Sequence, residues 1–211
     1  DGAAIQIEMA AVDVMELFSP KRFTAAATKF GLRPGFAIDL TEKKPDSDEC
    51  WDLSRDEDVE ALKEHVTFEQ PVLLTGSPPC DQFSNMQFLS KYKRSPEVSR
   101  VRMQLALRHL HTAIDFYEVQ HREGRYFLHE HPESASSWDD SRIKALQAQD
   151  GYFTVSGPMC RWEMKLNVSG QGSGFVRKPT KWITNCPSLA RELDGYCPGV
   201  QGDWHRHLTL V

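Results

Sequence analysis

The sequence predicts an α/β fold, an open and mostly parallel sheet with helices on both faces and a C-terminal hairpin. Short apolar runs alternate with stretches of helical periodicity between residues 12 and 129. A strand, a helix and a second strand follow one another within residues 12–39, which is the βαβ arrangement that makes neighbouring strands parallel. The length of 211 residues suits a single domain spanning 1–211.

The first half of the chain alternates strands and helices in order. Residues 12–18 predict a buried strand that ends at Ser19-Pro20, because proline suits the first turn of a helix. An Ala-rich stretch then predicts a helix capped by Gly31. The remaining predictions are helices at 23–30, 56–65 and 101–120 and strands at 35–39, 71–75 and 125–129.

The pattern changes from Gly151 onward, where short apolar runs are interrupted by glycine. The run Ser169-Gly-Gln-Gly-Ser-Gly174 is the clearest example. We interpret this part as a hairpin and loops that complete the sheet, without a separate domain.

Charge excludes some roles and directs attention to two segments. The net charge of −5 argues against a protein that coats nucleic acid nonspecifically, and no apolar run approaches the roughly 20 residues that span a bilayer. Residues 39–64 hold eleven acidic and four basic side chains, whereas residues 91–108 hold six basic and one acidic. These are either solvated faces or an acidic rim and a basic strip beside an anionic ligand. The candidate phosphate-binding residues of the strip are Lys91, Lys93, Arg94, Arg100 and Arg102.

Five cysteines are too scattered, and odd in number, for a secreted disulfide scaffold. We therefore expect an intracellular protein, cytoplasmic or nuclear, without a membrane role. The first residues, Asp-Gly-Ala-Ala, contain no methionine and no signal-peptide pattern, which favours a piece of a longer polypeptide.

Reactive side chains follow two of the predicted strands, where ligands of open α/β sheets bind. Cys80 comes after two prolines on a loop that begins at Gly76, so its thiol is held on a stiff backbone and suits a nucleophile. Glu130 lies between His129 and His131 at the end of a later strand and suits a general acid.

Together these segments resemble the DNA methyltransferases that modify carbon 5 of cytosine. Gly76-Ser-Pro-Pro-Cys80 resembles the nucleophile loop of that family, Glu130-His-Pro its Glu-Asn-Val motif, and Glu16-Leu-Phe18 its first cofactor motif. Residues 177–185 are similar to a segment of phage-type and retroelement-encoded members. The resemblance implies a Rossmann-like fold that binds S-adenosylmethionine. It implies these cofactor-binding residues: Glu16, Leu17, Phe18, Ser19, Asp39, Leu40, Asp52, Leu53, Ser77 and Pro79.

The mechanism that the resemblance implies is methyl transfer to cytosine in DNA through a covalent adduct. Cys80 would add to carbon 6 while Glu130 protonates ring nitrogen 3, and the product cofactor would be S-adenosylhomocysteine. Arg161, in a segment that loosely resembles the family's Gln-x-Arg motif, would hold the target phosphate or base. The cytosine must be flipped out of a duplex or already single-stranded.

The sequence also departs from the family. Ser19-Pro20 replaces the glycine turn of the first motif, and Asp81 replaces the usual glutamine after the nucleophile. Only short loops stand where a target-recognition domain is usual, so specificity is weak or supplied by a partner chain or domain.

Three alternatives remain open at this stage. A methyltransferase fold could bind nucleic acid without turnover, or the same chemistry could act on RNA. Cysteines and histidines near the C-terminus, Cys186, Cys197, His205 and His207 with Cys160, could form a structural zinc site, but their spacing is outside the common finger patterns and we assign no metal.

Overall fold

The structure is a computed structural model that describes residues 11–84, 95–168, 172–197, 199 and 207–208. Its strands are β1 (Val14–Leu17), β2 (Pro34–Ile38), β3 (Leu73–Gly76), β4 (Tyr126–Pro132), β5 (Phe153–Pro158), β6 (Lys165–Val168), β7 (Gly172–Phe175) and β8 (Pro179–Thr184). Its α-helices are α1 (Phe23–Lys29), α2 (Asp56–Glu69), α3 (Pro96–Arg122), α4 (Ser141–Gln147) and α5 (Pro187–Leu193). Short 3₁₀ helices lie at Asp81–Phe83, Ser136–Asp139 and Met159–Trp162.

Six strands form the main sheet, in the order β2-β1-β3-β4-β8-β5. The first four are parallel, β8 runs antiparallel to β4, and β5 runs antiparallel to β8. Strands β6 and β7 form a separate antiparallel hairpin. The predicted α/β architecture with a mostly parallel sheet is therefore confirmed.

One face of the sheet carries the main apolar core. Met15, Leu74 and Phe127 are in register on β1, β3 and β4 and therefore point to the same side. Helices α2, α3 and α4 cover this side with residues such as Leu62 and Ile143.

The opposite face carries the neighbouring register positions, Glu16, Thr75 and Leu128. Helix α1 packs here against β1 and β2, while α5 packs against β5 and β8. Because α1 and α5 lie at the two ends of the sheet, they leave room for a pocket between them, over the middle of this face.

The second half differs from the prediction. We expected a hairpin and loops that complete the sheet. Strands β5 and β8 do complete it, but the hairpin β6–β7 lies outside it, and neither α4 nor α5 was predicted. Both helices are only seven residues long, which is too short for periodicity to identify. Helix α3 begins at Pro96, where Ser95 caps its first turn, five residues before the predicted start. None of the described helices combines the length and apolarity needed to cross a membrane.

Glu16 is buried and holds the turn between β1 and α1. Its carboxylate accepts hydrogen bonds from the backbone N–H groups of Arg22, Phe23 and Thr24, at 2.9–3.2 Å, and from the Thr24 hydroxyl at 2.6 Å. The first turn of a helix has N–H groups without intrahelical partners, and a carboxylate placed there satisfies them. Glu16 therefore fixes how the chain leaves β1.

Replacing Glu16 with alanine is expected to lower the free energy of unfolding by about 2–4 kcal/mol, because three N–H groups and a hydroxyl lose their acceptor. Urea unfolding followed by circular dichroism measures the change. Glu16→Gln keeps one oxygen and should lose less. Glu123→Ala, at a partly exposed carboxylate beside Arg122, serves as the control and should change stability by less than about 0.5 kcal/mol. Equal stabilities for Glu16→Ala and the control would contradict this role.

Candidate active site

A pocket of about 370 Å³ opens on the sheet face that carries Glu16, at the carboxyl ends of the parallel strands. The turn after β1 (18–20) forms one wall, and the end of β3 with the residue after it (75–77) forms another. Glu130 lies on β4, directly opposite Trp182 of β8, and both line the pocket with Met159 and Lys178. The pocket therefore brings together the predicted cofactor motif and the predicted general acid.

His131 holds the loop that carries Cys80. Its Nε2 lies 2.8 Å from the carbonyl oxygen of Pro78, and its Nδ1 lies 2.6 Å from the Ser137 hydroxyl. Because a carbonyl can only accept, Nε2 carries the hydrogen and Nδ1 accepts from Ser137. Burial lowers the pKa of His131, which keeps the ring neutral. In the sequence, His131 is recognisable only as a neighbour of Glu130, and its contact with the Cys80 loop depends on the fold.

Tyr117 and His129 lie under the start of the same loop. The Tyr117 hydroxyl is 3.2 Å from Nδ1 of His129, and both side chains are fully buried. A Cβ atom at Gly76 would collide with the Tyr117 hydroxyl, so glycine is required there by close approach. The nucleophile loop thus starts from a tightly packed position.

Neighbouring charges shift the pKa of the Cys80 thiol in opposite directions. Burial raises the pKa of its thiol above the ordinary value, and the carboxylate of Glu130 raises it further. The Lys178 ammonium lowers the pKa of the same thiol, whereas Asp81 raises it slightly. Lys178 also forms an ion pair with Glu130, 3.2 Å from Nζ to Oε1. Lys178 is thus the cation that links the two predicted catalytic residues.

The predicted cofactor residues fall into separate groups. Phe18, Ser19 and Ser77 line the pocket. Phe18 has a φ of 55°, in the left-handed region that favours glycine, and its ring lies 5.3 Å from that of His109. Glu16 supports the turn from below, through the hydrogen bonds described above. The side chains of Leu17 and Leu53 are buried in the core on the other face.

Two predicted acids lie near the same edge of the sheet. Asp39 follows β2 directly and accepts hydrogen bonds from the Thr41 backbone and hydroxyl through Oδ1. Hydrogen bonds from the Ser54 side chain and then from its backbone N–H, the latter at 2.9 Å, lower the pKa of the Asp52 carboxyl, and His109 lowers it further electrostatically. Neither acid lines the pocket itself. Leu40, next to Asp39, is exposed.

Arg161 is not the cation beside Glu130. Its guanidinium donates a hydrogen bond to the carbonyl oxygen of Asp194, and it also lies 5.5 Å from the ring of Trp162. The structure therefore directs this side chain toward the segment after α5 and not into the pocket. Lys178 could be found in the sequence only as part of residues 177–185, because its place beside Glu130 depends on the pairing of β4 with β8, the strand that follows it.

The structure describes only part of the basic strip at residues 91–108. Lys91, Lys93 and Arg94 lie outside the described residues. Arg100 forms an ion pair with Glu97 on the exposed side of α3. Arg102 lines a shallow cavity together with Pro79 and Asp81, which brings it next to the nucleophile loop. Arg108, farther along the helix, pairs with Asp56 at 2.6 Å and so joins the basic segment to the acidic one.

No model of a known protein family matches this sequence, and a search of curated proteins found no significant match. The features of this chain that bear on its function are therefore the geometry of the pocket and the motifs that line or adjoin it.

The charges around Cys80 predict opposite effects of two substitutions on its reactivity. Glu130→Gln removes a negative charge and should lower the pH midpoint of Cys80 alkylation. Lys178→Met removes a positive charge and should raise it. Each shift is expected to be up to about one pH unit. Iodoacetamide alkylation between pH 7 and 11.5, with the Cys80 peptide quantified by mass spectrometry, measures the midpoint.

Lys178→Arg keeps the charge and is the matched control, with a midpoint close to the wild-type value. Shifts of Glu130→Gln and Lys178→Met in the same direction would contradict the electrostatic role of this pair.

Proposed function

We propose that this chain transfers a methyl group from S-adenosylmethionine to carbon 5 of cytosine in DNA. The observation that supports the proposal is the shared pocket, where Glu130 meets the turn after β1 and Ser77, which begins the loop that leads to Cys80. Cys80 does not line the pocket, but its thiol interacts electrostatically with Glu130 and Lys178, which do. A pocket of about 370 Å³ lies within the range of small-molecule sites, roughly 300–1,000 Å³.

In this proposal Cys80 is the nucleophile. Its sulfur forms a bond to carbon 6 of cytosine while Glu130 gives a proton to ring nitrogen 3, so that carbon 5 becomes electron-rich. The bound cofactor supplies an electrophilic methyl group, which carbon 5 takes up. The carbon 5 proton is then lost to solvent as the bond to the Cys80 sulfur breaks, and ring nitrogen 3 returns its proton to Glu130. These steps restore the aromatic ring, the Cys80 thiolate and the Glu130 acid.

Lys178 has two tasks in the same step. Its ammonium favours the Cys80 thiolate before attack, which matters because burial, Glu130 and Asp81 all oppose that charge. Beside Glu130 it is also placed to stabilise negative charge on the pyrimidine ring, the kind of electrostatic support that lowers a reaction barrier. We assign to Lys178 the contact with the target base that the resemblance gave to Arg161.

In this proposal a side chain, and not the backbone of the turn after β1, binds the carboxylate of the cofactor. The first-turn N–H groups of α1 are already bonded to Glu16, so they cannot bind the carboxylate of the cofactor's methionine part. Arg22 lines the pocket and offers a cation for that carboxylate. Asp39, at the end of β2, is the candidate for the ribose hydroxyls, with Asp52 for the adenine amine.

Arg102 is the described member of the basic strip that supports a DNA partner. It lies beside Pro79 and Asp81, where a phosphate next to a flipped cytosine would pass. A phosphate contact supplies affinity without reading sequence, so specificity must come from another part of the protein or from a partner.

Trapping on DNA that contains 5-fluorocytosine tests the proposal. Fluorine at carbon 5 blocks the last step, so the protein with S-adenosylmethionine should form a complex that survives denaturing electrophoresis. Cys80→Ser should form none. Glu130→Gln should transfer tritiated methyl groups about 10²–10⁴-fold more slowly than the wild type.

Cys50→Ser, at an exposed thiol, is the matched control and should trap as well as the wild type. Binding of DNA without adduct and without methyl transfer would favour a binding module over an enzyme. Trapping on the corresponding RNA, but not on DNA, would change the substrate class.

A further inference from the structure

Three potential metal ligands from separate parts of the chain converge beside the pocket wall. Cys160 lies on the 3₁₀ helix after β5, Cys197 follows α5, and His207 pairs with Phe175 of β7. The sulfur atoms of both cysteines lie 3.4 Å from Nε2 of His207. All three ligand atoms lie within 4.8 Å of one another.

Ordinary hydrogen bonding accounts for only part of this arrangement. A neutral imidazole nitrogen carries either one hydrogen or one lone pair, so Nε2 cannot make two well-directed bonds to two thiols. A cation at the centre would satisfy both sulfurs and the nitrogen together.

The distances fit a zinc ion. With Zn–S near 2.3 Å and Zn–N near 2.0–2.1 Å, a tetrahedral ion separates sulfur and nitrogen by about 3.5 Å and two sulfurs by about 3.8 Å. Two thiolates and an imidazole are also the ligand types that select zinc over magnesium or calcium.

We propose that Cys160, Cys197 and His207 bind a zinc ion that ties the C-terminal residues to the wall of the pocket. Among the described residues the cluster has three members, so a water molecule or another ligand completes the tetrahedron. Cys186, a member of the set considered from the sequence, is not in the cluster, and His205 lies outside the described residues.

The position of the cluster gives the ion a structural role. Met159, next to Cys160, lines the pocket, and its N–H donates to the carbonyl oxygen of Lys178 at 3.2 Å. On the other side, the N–H of Leu208 donates to the carbonyl oxygen of Phe175. Zinc would therefore connect three parts of the chain: the segment after α5, the C-terminal residues that pair with the hairpin β6–β7, and the 3₁₀ helix that is hydrogen-bonded to Lys178.

Metal analysis of the full chain, purified without a histidine tag, tests the proposal. We expect about one zinc per chain by mass spectrometry. Cobalt substitution should give the charge-transfer absorption of thiolate ligands. Cys160→Ser, Cys197→Ser and His207→Ala should each weaken zinc binding at least about tenfold, measured by competition with a chromogenic chelator.

Cys186→Ser is the matched control, because this cysteine is close in sequence but outside the cluster, and it should keep full zinc content. A test on the wild-type protein does not depend on whether the variants fold. Removal of its zinc by a chelator should lower the melting temperature, and re-addition of zinc should restore it. A folded wild-type protein without zinc, zinc that survives all three substitutions, or a Cys160–Cys197 disulfide in its place would overturn the proposal.

Discussion

The alternation of side chains along β4 is the constraint on which the site depends. Leu128 and Glu130 point to the pocket face, whereas His129 and His131 point to the face covered by α3. A shift of one residue in the pairing of β4 would bury Glu130 in an apolar core and expose two histidines to the pocket. Strand register therefore decides which of these neighbours does chemistry and which supports the structure.

The buried histidines position the loop that carries Cys80. Tyr117 and His129 fill the space under Gly76, and His131 bonds to the carbonyl of Pro78 two residues before the nucleophile. Both histidines stay neutral because burial lowers the pKa of each ring. A neutral ring donates one hydrogen bond and adds no charge near Cys80. The electrostatics of the thiol are thus left to groups on the pocket face, Glu130 and Lys178.

The first half of the chain could be predicted from its sequence because each of its elements has a local cause. The βαβ order, the Pro-Pro-Cys loop and the strand-end Glu130 are all readable within short windows. Lys178 and the helices α4 and α5 could not be found this way. The position of Lys178 follows from the antiparallel pairing of β8 with β4, which joins residues about 50 positions apart. Long-range pairing leaves no periodic trace in one sequence. The contact of Arg161 with the Asp194 carbonyl could not be predicted for the same reason, since that partner is also distant in sequence.

The second half of the chain explains how a site without a glycine turn can still form a pocket. In the first half, Glu16 binds the N–H groups of α1 and makes the turn after β1 rigid. The opposite wall, formed by Met159, Lys178 and Trp182, comes from segments that a periodicity argument treats as loops. Trp182 packs edge-on against Trp162, and the short helix that carries Trp162 also carries Cys160. One wall is therefore fixed by a buried carboxylate, and the other by aromatic packing next to the cysteine and histidine cluster. Lys178 lies on the second wall, so the reactivity of Cys80 depends on how firmly that wall is held.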